Sequence, residues 1–148
     1  LSVLALSETA ASIYRHGLYG NTMATNPRAL DIGVAVLDSF DTVRRNNIRA
    51  RGEELLKGLA ALADETDNGI TSTQGTGLLV SCALASRYET YGANSTEDYL
   101  RRQGLGVIHG GEHSLRFTPV FDIGAKEVAL ILELTKDALL NGPVLPGN

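Results

Sequence analysis

The stretch Ile70-Thr71-Ser72-Thr73-Gln74-Gly75-Thr76-Gly77-Leu78-Leu79-Val80-Ser81-Cys82-Ala83-Leu84 decides the fold, because apolar residues stop recurring at helical spacing there. Ile70 to Thr73 and Leu78 to Leu84 read as two strands around a Gly75-Thr76-Gly77 turn. Upstream, residues 42–63 read as an amphipathic helix. Val43, Leu55, Leu56, Leu59 and Leu62 fall on one side, and Arg44, Arg45, Arg51, Glu54 and Lys57 lie elsewhere. Residues 64–69 break it. Downstream, Asn94-Ser95-Thr96-Glu97 offers capping residues for a helix through Arg102 that ends at Gly104. Gly106-Val107-Ile108-His109 and Leu115-Arg116-Phe117-Thr118 then predict a second hairpin around Gly110-Gly111. Residues 125–140 close the chain as a helix with Val128, Ile131, Leu132 and Leu139 inward, stopped by Gly142-Pro143. The pattern is α/β, with helices packed on a small, mainly antiparallel sheet.

Before residue 42 the chain is organised differently. Leu1-Ser2-Val3-Leu4-Ala5-Leu6 reads as a buried strand, and Ser7 as the cap of a short helix through Ala11. Gly17, Gly20 and the polar series Asn21-Thr22-Met23-Ala24-Thr25 carry no period. Asn26-Pro27, an N-cap residue followed by proline, opens a helix over residues 28–37 with Leu30, Val34 and Leu37 at helical spacing. Ser39-Phe40-Asp41 marks an expected kink. The opening run starts in mid-strand, which suggests a strand cut from something larger.

A chain of 148 residues with 43% hydrophobic and 20% charged residues is long enough for one ordinary domain with a core. Its thirteen Lys and Arg are outnumbered by seventeen Asp and Glu and never cluster, so a nucleic-acid surface is disfavoured. No run approaches the roughly 20 apolar residues of a membrane helix, and no secretion signal opens the chain. Cys82 is the single cysteine and reads as a small buried hydrophobe, which favours a reducing cytoplasm.

The chemistry-bearing residues are few. Gly75-Thr76-Gly77 is followed by a strand and lacks a third glycine, so it is no dinucleotide fingerprint. His109 and His113 flank a turn and cannot share one helical face, which disfavours a metal site. No nucleophile elbow occurs, and Cys82 lacks the setting of a nucleophile. Arg116 stands out as a forked cation in an apolar strand. It suits a carboxylate bidentately, and that carboxylate is either an acidic residue of its own domain or a substrate. Asn21 and Thr22 precede a helix start, where hydroxyl and N–H groups suit a phosphate, although capping explains them equally well.

Three short segments carry a resemblance. Tyr19-Gly20-Asn21-Thr22 with Asn26-Pro27-Arg28-Ala29, Gly75-Thr76-Gly77-Leu78-Leu79, and Leu115-Arg116-Phe117-Thr118-Pro119 occur in one order and spacing. Over residues 17–140 they resemble the class III (ornithine and acetylornithine type) aminotransferases, which use pyridoxal phosphate. Ala24-Thr25 and Val120 depart from the family's usual glycine pair and second proline. The resemblance implies the α+β small domain of a fold-type I aminotransferase and a homodimer whose Asn21 and Thr22 meet the cofactor phosphate of the neighbouring subunit. It also implies that Arg116 grips the substrate carboxylate while an amino group passes from an amino acid or amine to a 2-oxo acid. Residues 1–25 would end the large cofactor domain, residues 26–66 connect, and residues 67–148 form the small domain.

Such chemistry needs a lysine to hold the cofactor and shuttle a proton. Lys57, Lys126 and Lys136 are the only lysines, and all fall in expected amphipathic helices at solvated positions. The expectation is a C-terminal fragment that begins just past the cofactor lysine and is inactive alone. The alternative is a free-standing, non-catalytic domain used for binding or dimerisation.

Overall fold

A computed structural model of the chain describes residues 6–15, 26–111 and 113–145. The chain divides into two compact units, Leu1–Asp41 and Thr42–Asn148.

In the first unit, α1 (Glu8–Ala11) starts where Ser7 accepts the Ala10 N–H at 3.2 Å. Helix α2 (Pro27–Asp38) starts where Asn26 Oδ1 accepts the Arg28 N–H at 3.1 Å, with proline in the first turn, where a missing N–H costs nothing. Leu30, Val34 and Leu37 all stay exposed, and α2 buries no residue. The strand expected over residues 1–6 lies, apart from Leu6, outside the described residues. Ser39 to Asp41 make a full break between helices.

The second unit begins with α3 (Thr42–Glu65), followed by β1 (Ile70–Thr76), β2 (Leu79–Leu84), α4 (Thr96–Arg102), β3 (Ile108–His109), β4 (Ser114–Phe117) and α5 (Ala125–Asn141). The sheet order is β1-β2-β4-β3, and every neighbouring pair is antiparallel. Both expected hairpins form, so the fold is helices packed on a four-stranded antiparallel sheet.

The first turn differs from its expected place. Gly75 and Thr76 belong to β1, pairing with Val80 and Leu79, and the turn is the two-residue Gly77-Leu78. Gly77 has φ of +54°, which suits the first central position of a tight hairpin turn. Helix α3 crosses this turn at very short range. A Cβ on Gly52 would lie 2.0 Å from the Gly77 carbonyl oxygen, so only glycine allows the approach.

Alternation along the strands divides the sheet into two faces. Val80, Cys82 and Leu84 of β2 and Leu115 and Phe117 of β4 are buried with Leu55, Leu59 and Leu62 of α3 and Val128, Ile131, Ala138 and Leu139 of α5. Each fully buried leucine contributes about 2 kcal/mol. Leu56 and Leu132, expected inward, are only partly buried. Val43 is 76% exposed because the hairpin turn meets α3 at Ile48 and Gly52, and earlier residues run past it. Tyr88 donates its hydroxyl to the Leu139 carbonyl at 2.8 Å and ties the segment after β2 to α5.

Candidate functional site

Period-two alternation places Arg116 opposite its neighbours. Leu115 and Phe117 enter the core at 0% and 2% exposure, and Arg116 stands on the uncovered face. There it pairs in register with Ser81 of β2 and Ile108 of β3, and Ser81 in turn pairs with Gln74 of β1. A row Gln74–Ser81–Arg116 therefore crosses three adjacent strands on one face.

That face holds an open groove of about 580 Å3, lined by Gln74, Thr76, Leu79, Ser81, Gly110 and Arg116 with the backbone around Gly75 and Val80. Among the described residues that line it, Arg116 is the one that carries a charge. Among the described residues no carboxylate lines the groove, and Arg116 takes part in none of the ion pairs. Gly110 lies close by, and a Cβ built on it would sit 3.9 Å from the Arg116 Cβ. A forked cation, a hydroxyl and an amide beside an apolar Leu79 are donors whose chemistry suits a carboxylate on a small organic molecule.

The edge of the groove is held from behind. Glu97 of α4, 7% exposed, accepts the His109 N–H at 3.2 Å, faces His109 Nδ1 at 2.9 Å, and bonds Arg101. Burial pushes its carboxyl up, but the His109 hydrogen bonds and Arg101 outweigh burial and hold it below the ordinary carboxyl value of 4.5. Tyr91 lies against the His109 ring at 4.2 Å. Glu97 thus anchors β3, whose next residue is Gly110. His113 faces the Tyr88 carbonyl instead, so the two histidines serve different partners.

Sequence reasoning isolated Arg116 but passed over Ser81, Gln74 and Gly110. Strand parity put Ser81 opposite the buried Val80 and Cys82, but no local signal tied it to Arg116. Glu97 read only as one of the capping residues Asn94 to Glu97, and of these Ser95 is the cap, accepting the Asp98 N–H at 3.2 Å as expected. Asn21 and Thr22 lie outside the described residues. Cys82 is buried as expected, and desolvation pushes its thiol up to about 12.

A covalently held pyridoxal phosphate does not fit the described residues of this groove. Its anchoring amine would have to come from a lysine facing the open sheet, and Lys57, Lys126 and Lys136 all lie on α3 and α5. Lys136 contacts Glu65 at 2.6 Å, and Lys57 lies 4.0 Å from Glu53. Among the described residues, no helix is long and apolar enough to cross a membrane.

The model of the family described as Aminotransferase class-III matches residues 2–139. The chain is 27% identical over 128 residues to the acetylornithine aminotransferase of Synechocystis sp., covering 86% of this chain and 30% of that protein. It is 25% identical over 134 residues to the succinylornithine transaminase of Citrobacter koseri, covering 90% and 32%. Among solved structures, the N-acetylornithine aminotransferase of Stenotrophomonas maltophilia K279a superposes with a TM-score of 0.63 at 26% identity, over 72% of this chain and 29% of that one. The acetylornithine aminotransferase of Elizabethkingia anophelis shares the fold with a TM-score of 0.67 at 21% identity, over 88% and 34%. The chain spans about 30% of the length of the curated relatives it matches.

Proposed function

Because the chain belongs to the class III aminotransferases, a family that uses pyridoxal phosphate, we propose that it supplies the substrate-carboxylate site of an enzyme moving an amino group from an amino acid or amine to a 2-oxo acid. The observation that carries this reading is Arg116, a cation on an open sheet face in a groove that no carboxylate lines among the described residues. Arg116 is exposed there and its guanidinium is open to a ligand, and a carboxylate entering the groove gains a bidentate, charge-assisted contact. Pyridoxal phosphate, were it bound in the complete enzyme, would supply the electron-withdrawing ring that amino transfer needs. This chain's part is to orient the substrate through Arg116 and to offer Asn21 and Thr22 to the cofactor phosphate of a neighbouring subunit in a cytoplasmic homodimer.

The lysine that carries the cofactor is none of Lys57, Lys126 and Lys136. Their places on α3 and α5, with ion-pair partners for two of them, support that assignment. By itself the chain binds without transferring, as a non-catalytic domain would. The test is Arg116→Ala in the complete enzyme. Loss of a bidentate charged contact of about 3 kcal/mol lowers kcat/KM for carboxylate substrates by more than about 100-fold. Unchanged KM and kcat/KM would remove Arg116 from the role.

A further inference from the structure

The groove holds more than its arginine. Ser81 is the direct cross-strand partner of Arg116, and on an antiparallel pair such residues have Cβ atoms about 4.5–5.5 Å apart on the same face. Gln74 follows one strand further on, about 10 Å from Arg116 at two strand spacings. Ser81 is half-buried, Gln74 exposed, and both line the same groove as Arg116. Neither side chain takes part in a hydrogen bond among the described residues. A hydroxyl, an amide and a guanidinium in one row can all donate, and among the described residues no charged acceptor lines the groove with them.

We infer that Ser81 is a specificity-determining residue of this site, donating its hydroxyl to the carboxylate that Arg116 holds, with the Gln74 amide reading an uncharged acceptor further along the ligand. The inference rests on the reading of Arg116 as a carboxylate ligand. It specifies which end of a substrate enters. The row accepts a carboxylate at Arg116 and Ser81 and an uncharged acceptor several bonds away from it at Gln74. Among the described residues no carboxylate lines the groove to receive an ammonium group. The floor beneath the row is the Gly75–Val80 backbone pair. A Cβ on Gly75 would lie 2.8 Å from the Leu79 carbonyl oxygen, so glycine keeps the two strands in close register under the ligand.

The test is isothermal titration of the complete enzyme with glutarate as the carboxylate probe, for the unaltered protein and its Ser81→Ala, Ser81→Thr and Arg116→Ala variants. Losing one hydrogen bond to a charged group weakens Kd about tenfold in Ser81→Ala. Ser81→Thr keeps the hydroxyl and restores Kd to within about twofold, and Arg116→Ala abolishes binding. If Arg116→Ala abolishes binding while Ser81→Ala leaves it unchanged, the role of Ser81 is overturned and the reading of Arg116 stands. Equal weakening by Ser81→Ala and Ser81→Thr also overturns it, because the hydroxyl would then not be the cause. Unchanged binding in Arg116→Ala, or no binding by the unaltered protein, overturns both.

Discussion

Replacing Glu97 by Gln tests whether the groove edge is held by one buried carboxylate. The side chain is 9% exposed and receives the His109 N–H at 3.2 Å and the His109 ring at 2.9 Å. Glutamine is nearly isosteric, but it turns one acceptor oxygen into an NH2 group. Both His109 contacts fall on one carboxylate oxygen and Arg101 on the other, so the amide turns its NH2 toward one of these partners and every contact that remains loses its charged acceptor. A hydrogen bond to a charged acceptor contributes about 1.5–3 kcal/mol. The Arg101 partner is 63% exposed and adds less than about 0.5 kcal/mol. The expected loss is therefore ~2 kcal/mol, read as a fall in the urea midpoint of the complete protein at unchanged slope. Amide exchange should rise over residues 107–111 before it rises in α3. The effect is also pH-dependent. Because the folded-state pKa of Glu97 lies below its ordinary value, its stabilisation is complete above about pH 4.5 and is lost as pH falls through the lower folded value. Glu97→Gln should flatten that acid limb. An unchanged midpoint at pH 7 would refute the reasoning.

Two further outcomes follow from the packing. Gly52→Ala gains about 1 kcal/mol of helix propensity but drives a Cβ to 2.0 Å from the Gly77 carbonyl oxygen, and overpacking of about 1–3 kcal/mol or more wins. Thermal melting of the complete protein should show a lower Tm, and a raised Tm would contradict the helix–turn contact. Cys82, buried and with its thiol pushed up to about 12, should resist alkylation at pH 8 in the folded protein and react once it is unfolded in urea. Peptide mapping after iodoacetamide treatment reads the modification, and rapid labelling of the native protein would contradict its burial.

Local chemistry in the sequence was enough to specify most elements. Asn26-Pro27 and Ser7 start helices through their own side chains, and Gly77 makes a tight turn whatever surrounds it. Alternation alone puts Arg116 on the opposite face from Leu115 and Phe117, because side chains on a strand point to opposite faces in turn. The exact turn at Gly77-Leu78 was less legible, since Gly75 looks like a turn residue and is a packing residue inside β1. The pairing of β2 with β4, which joins the two hairpins and sets Ser81 beside Arg116, was decided only by the tertiary structure. No turn links those strands, and their register follows from which faces the sheet must bury against α3 and α5. The same holds for Glu97. Its sequence neighbours mark a helix start, and only the packed sheet brings the His109 donors to its carboxylate and makes a buried charge stable there.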